Sequence, residues 1–312
     1  MEQFIIAVNV VFPLLICMAL GYLLHRLHML SDGTLSQLNK LVFRVFLPTL
    51  LFYNVYTTEL AAAFDGGLLL FSVLCVLVLF VLLMLVIPQL EKDNRRRGVI
   101  IQGIFRSNFA IFGIPIVQSL FGNEGVGITS IVVAVVVPLF NALSVIVLEY
   151  YREGKANPKK ILFGILQNPI IIGSALGLLF LSLHIPLPVF ITKAVSSVAG
   201  VTTPLALIVL GGSFQFSQVQ GCLRPLIITV LGRLVVTPLL FLPVGILFGL
   251  QGAPLACFAC MLSAPTAVST YTMAKQMDAD GDLANQVVVF TALFSILTIF
   301  LIVFALKLAG LI

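Results

Sequence analysis

The residues of this chain with chemistry to offer are three arginines and a short series of amides and hydroxyls. Arg44, Arg106 and Arg233 lie inside long apolar runs, whereas all 12 acids fall outside those runs or at their edges. Insertion scales put an arginine at the centre of a membrane helix at about 2.5–3.5 kcal/mol, and such residues face a bundle interior or a cavity. Fixed cations without fixed anions favour an anionic ligand and argue against a proton or sodium site built from paired carboxylates. Arg106 is followed by Ser107 and Asn108, whose amide can donate to a carboxylate or accept from a hydroxyl. Arg233 lies in a stripe with Thr229 and Thr237, spaced four apart on one helix face. Arg44 follows Lys40 by one turn and snorkels to a cytoplasmic edge. Two roles stay open for Arg106 and Arg233: contact with substrate, or bonding to backbone carbonyls freed at helix breaks. Asn108 is a substrate ligand or an interhelical hydrogen-bonding group.

Two proline-containing segments position these groups. Ser107–Pro115 reads SNFAIFGIP and Met261–Tyr271 reads MLSAPTAVSTY. A proline inside a helix removes a donor and frees the carbonyl four residues earlier, which here predicts breaks releasing Ile111 and Met261. Such groups survive at membrane depth only inside protein or around a watery cavity. Broken helices in corresponding halves are the best sequence pointer to a carrier's binding site. Around Pro265 stand Ser263, Thr266, Ser269 and Thr270, with the Tyr271 phenol beyond; Asn141 and Ser144 share a face of the expected fifth helix, 125–149. Half-helix N-termini would add free amides and a partial positive charge suited to a carboxylate.

Composition sets the class. The chain is 60% hydrophobic and 9% charged, with a mean hydropathy of +1.18, outside the range of soluble domains. At about 20 apolar residues per crossing, ten spans are expected: 4–24, 35–57, 66–88, 98–121, 125–149, 161–182, 188–213, 224–248, 252–275 and 284–308. The first reads as a retained helix and not a signal peptide, since it lacks a basic leader and a clear cleavage site. With the N-terminus outside, Arg26, Lys40, Lys92, Arg95, Arg96, Arg97, Arg152, Lys155, Lys159, Lys160, Arg224 and Lys275 are cytoplasmic, and only Lys193 and Lys307 are external. The net charge of +5 therefore reads as membrane topology, with no nucleic-acid partner. The five cysteines lie in or beside apolar segments without a disulfide or metal pattern. His25, His28 and His184 form no ligand cluster and partner no serine. No metal, cofactor or catalytic constellation is expected, and the chain is not read as an enzyme.

The stretch Arg152–Lys160 divides the ten segments into five and five. An odd number of crossings per half makes any repeat an inverted one. Three features recur in order: Pro48 and Pro204 in the second and seventh segments, Pro115 and Pro265 in the fourth and ninth, then GNEG at 122–125 and DADG at 278–281. The expectation is one all-α integral membrane domain, 1–312, with repeats 1–152 and 161–312.

The chain resembles the auxin efflux carrier family, whose bacterial branch includes malonate permeases. The resemblance runs through LNKLVFRVFLPTLLF (38–52), RSNFAIFGIP (106–115), LQNPIIIGSALG (166–177), TTPLALIVLGGSF (202–214), GRLVVTPLL (232–240) and SAPTAVSTYTMA (263–274). Its most specific block holds Asn108, Gly113 and Pro115; Ser107 and Ala110 stand where the family often has glycine. The resemblance implies ten transmembrane helices in two inverted five-helix repeats, with broken helices 4 and 9 crossing beside the bound anion. It also implies elevator-type transport and a homodimer in the cell membrane. Carried over by position, Asn108, Pro115 and Pro265 form the site core, with Arg106, Asn141, Ser263, Thr266 and Tyr271 added; Gly113 and Arg233 complete the expected substrate-binding set. The expected function is secondary transport of a small organic anion such as malonate or an auxin-like acid. The alternative is a sodium- or proton-coupled symporter of the bile-acid type; an intramembrane enzyme, a receptor and a channel are remoter rivals.

Overall fold

The computed structural model describes residues 2–57, 66–152 and 158–312, and the described chain is helical apart from short connections. Glu59, Asp65, Glu153 and Lys155, and with them most of the expected seam, lie outside the described residues. The helices are α1 (Glu2–Arg26), α2 (Asp32–Leu41), α3 (Leu47–Tyr56), α4 (Gly66–Leu90), α5 (Asn94–Phe105), α6 (Phe109–Arg152) and α7 (Pro158–Leu166). They continue as α8 (Pro169–Ser182), α9 (Val189–Gly212), α10 (Leu223–Leu231), α11 (Thr237–Leu247), α12 (Gly252–Ser263), α13 (Ser269–Gln276) and α14 (Gly281–Leu308). Six stretches are long and apolar enough to cross a membrane, by length and composition alone. On α4 the outward stripe Leu70, Leu74, Val78, Val81 and Leu85 is exposed at helical spacing, a face suited to hydrocarbon and not to water.

Several expected segments are not single helices. The second is α2 and α3 joined through a π turn at Val42–Phe46, and the eighth is α10 and α11 joined through another at Gly232–Val236. Each π turn runs into a proline in the first turn of the next helix, Pro48 or Pro238, because proline cannot supply the amide that an unbroken α ladder needs. The fourth segment is interrupted between α5 and α6, and the ninth between α12 and α13. The fourth and fifth run together as α6, which reverses at Gly122 with φ 63° and ψ −144°. A straight helix would hold Arg106 and Asn141 about 50 Å apart, yet their side chains are hydrogen-bonded. Gly125, just past the bend, packs on Val117.

The helices sort into two bundles. In one, α1 packs on α9, and α3 on α8 and α9. Glycine permits those close approaches: a Cβ at Gly211 would strike the Met18 carbonyl, and one at Gly177 would stand 2.8 Å from the Phe52 carbonyl oxygen. In the other, α4, α5, α6, α10, α11, α12, α13 and α14 pack together. The bundles meet along α1 with α14, α3 and α8 with α6, and α9 with α13.

Candidate functional site

The two interruptions touch. Ser107 and Thr266 pair as an antiparallel bridge, and the Asn108 amide donates to the Pro265 carbonyl at 2.8 Å. Ala264, at φ −60° and ψ 147°, ends α12 as expected of a residue preceding proline. The first break has no such proline. Pro115 sits within α6, so the chain breaks at Arg106–Asn108 instead of at the proline. The reason is pairing: Asn108 and Ser107 find partners on the facing break, while Pro115 leaves only the Ile111 carbonyl without its helical donor.

Orphaned backbone groups at a buried helix end need partners, and at the crossing the last carbonyls of α5 and several at the end of α12 have them. At the end of α5, Gln102 O accepts from the Arg106 amide at 3.0 Å and Gly103 O from Thr266 Oγ1 at 2.7 Å. Ile104 O and Phe105 O accept from Arg233 Nη1 at 2.9 and 3.4 Å. At the end of α12, Arg233 donates to Met261 O and Ala264 O, each at 2.8 Å. The Thr266 amide donates to Thr291 Oγ1 at 3.2 Å. Arg233 is 1% exposed and occupied entirely by backbone.

Arg106 lies on the other side. Its guanidinium donates to Asn141 Oδ1, to Ser269 Oγ at 2.6 Å and to the Met273 sulfur. It is 4% exposed, and no carboxylate pairs with it among the described residues. It lines a cavity of about 160 Å³ between the bundles. One wall carries Arg106, Ser107, Asn108, Asn141 and Ser269; the other carries Leu47 and Asn54 from α3, Ile170 from α8, and Thr202 and Thr203 from α9. Phe109 and Ala110 at the start of α6, and Val268 and Ser269 at the start of α13, also line it, so both half-helix N-termini border this space. The Asn141 amide nitrogen and Ser107 hydroxyl are buried without a hydrogen-bond partner among the described residues. The Asn108 side chain likewise has none there. A second space of about 600 Å³ shares Leu51, Asn54, Ala110 and Val137 with the cavity and extends to Asn123 at the α6 reversal. At the opposite end of α6, Arg152 pairs with Asp278 at 2.7 Å and Arg96 with Asp280 at 3.1 Å.

Of the ten residues expected to bind substrate, Arg106, Asn108 and Asn141 line the cavity together. Pro265 and Thr266 build the crossing behind it. Arg233 is turned to the carbonyls. Ser263 donates to its own helix at Ala259 O, 2.7 Å away, and Tyr271 is buried; neither lines the cavity. Pro115 is exposed and outside it. Gly113 acts indirectly, since a Cβ there would stand 2.5 Å from the ring of Phe109. Asn54, Thr202 and Thr203 were missed because isolated amides and hydroxyls in apolar helices carry no spacing signal. Ser269 was visible only as one of several hydroxyls near Pro265.

A family model described as membrane transport protein matches residues 6–160 and 158–303. A relative named uncharacterized transporter, from Methanothermobacter thermautotrophicus, is 22% identical, over 93% of this chain and 95% of its own length. Another uncharacterized transporter, from Methanocaldococcus jannaschii, is 24% identical, over 94% of this chain and 97% of its own.

Proposed function

The chain belongs to the membrane transport protein family, that of the auxin-efflux-carrier-like transporters, and on that premise we propose that it is a secondary carrier for a small organic anion, a mono- or dicarboxylate. One observation carries this reading: Arg106 is a buried guanidinium with no acidic partner among the described residues, facing a cavity bordered by two helix N-termini. A buried cation is stabilised by an opposite charge, and an anionic ligand in the cavity would bring one. Asn108, Asn141 and Ser107 supply further polar groups to orient a carboxylate. The apolar wall from α3 and α8 fits the carbon skeleton.

Transport follows by alternating access. The cavity lies between bundles, so sliding α4–α6 and α10–α14 against α1–α3, α8 and α9 moves the bound anion from one side to the other. We read the chain as ten crossings in two inverted repeats, 1–152 and 161–312, with the N-terminus outside the cytoplasmic membrane, and as a homodimer. In that orientation the space leading to Asn123 opens outward, and the Arg152–Asp278 and Arg96–Asp280 pairs close the cytoplasmic end. An inside-negative potential favours export of an anion by about 2.3 kcal/mol per charge per 100 mV.

Labelled malonate flux in proteoliposomes, with indole acetate run beside it, tests the reading under imposed potential, sodium and pH gradients. Saturable flux following potential alone is expected. An obligatory sodium or proton gradient would replace it with a symporter, and flux of neither acid would overturn the proposed substrate class.

A further inference from the structure

Arg233 is surrounded by oxygen on the face of the crossing away from the cavity. Four backbone carbonyls, Ile104, Phe105, Met261 and Ala264, accept from its three nitrogens. They come from the C-terminal ends of α5 and α12, the negative ends of two half-helix dipoles. Unwound carbonyls and half-helix C-termini are the groups with which broken-helix carriers coordinate a monovalent cation. Here the cage is drawn from both breaks and closed around a positive group, but that group is tethered to the chain through α10 and α11. No carboxylate pairs with it among the described residues, so the carbonyl ends are its counter-charge.

We propose that Arg233 is a built-in counter-cation: its guanidinium occupies a carbonyl site that would otherwise take a free monovalent cation, and so releases the carrier from sodium dependence. The tethered charge stays in place whether or not the anion is bound. The crossing therefore holds together during the empty return step without recruiting an ion. The part of this inference that concerns sodium rests on the anion-carrier reading; the part that concerns the cage does not. A guanidinium acting only as a source of neutral donors would be replaceable by an uncharged amide. A guanidinium acting as a cation is replaceable only by another cation.

Two readouts on purified full-length protein separate these cases: thermal unfolding in detergent, and anion flux in proteoliposomes, each in choline, sodium or guanidinium chloride at about 20 mM, far below denaturing strength. Wild type is expected to melt and transport alike in all three salts. Arg233→Ala is expected to melt lower in choline and to regain about half or more of the lost melting temperature in guanidinium or sodium. Should the alanine variant not fold, Arg233→Lys and Arg233→Gln decide: the lysine variant keeps sodium-independent flux and the glutamine variant loses it. Equal behaviour of Lys and Gln, or no response of Arg233→Ala to either small cation, overturns the proposal. So does a sodium requirement in wild type. Cation rescue of melting with no anion flux in wild type would leave the counter-cation standing and sink the carrier reading.

Discussion

The two buried arginines stand on opposite sides of one crossing and are used in opposite ways. Arg233 faces the C-terminal ends of α5 and α12 and spends its donors on backbone carbonyls. Arg106 faces the N-terminal ends of α6 and α13, holds side chains only, and borders a cavity. Breaking a helix makes two poles, and a pair of crossed broken helices collects like poles on each side. The negative side is answered by a residue of the chain. The positive side already has a cation added to it, and in the proposed function its counter-charge is the transported anion. On the proposed reading, the same residue type is scaffold on one face and binding group on the other.

Substitutions break or sharpen this contrast in a graded way. Arg233→Ala has the largest expected effect, because an unsatisfied buried group costs about 1–3 kcal/mol and four carbonyls lose their donor. The fraction of monodisperse folded protein in detergent should fall steeply, whatever the ligand. Arg106→Gln should leave that fraction near wild type while weakening anion binding by about 1.5–3 kcal/mol, roughly ten- to 150-fold in apparent affinity; a saturation curve of flux measures it. Asn108→Ala should remove most of the flux at normal abundance, since its side chain supports no other group among the described residues; wild-type flux in a quantified membrane preparation would take it out of the site. Ser263→Ala, whose buried hydroxyl donates to Ala259 O, should change flux less than about twofold and stability by at most about 1.5 kcal/mol. A strong flux defect there would show that the cavity reaches further along α12 than the contrast allows.

Composition alone announced apolar helices, because membrane-spanning sequence departs so far from soluble sequence. The break at Ala264–Pro265 was legible, since proline constrains the residue before it. The break at Arg106–Asn108 was placed too late, at Pro115. No local residue forces it; pairing with the facing segment does, and such pairing is visible only in three dimensions. The role of Arg233 was left open for the same reason: an arginine serving carbonyls and one serving a ligand look alike in a sequence. The amide at Asn108 and the proximity of Arg106 to it were readable from their spacing of two. Asn141 joins them because the chain reverses at Gly122, within the GNEG stretch that separates the expected fourth and fifth spans. The α3 and α9 wall, with Asn54, Thr202 and Thr203, was not foreseen, because packing between bundles chooses it.

The measurement that bears most directly on this account is equilibrium binding of labelled malonate and indole acetate to purified wild type, Arg106→Gln and Arg233→Lys. Saturable binding of at least one acid to wild type, retained in Arg233→Lys and weakened tenfold or more in a fully folded Arg106→Gln, is the result expected. Unchanged affinity in Arg106→Gln would contradict it, because the anion would then be held somewhere other than the positive side of the crossing.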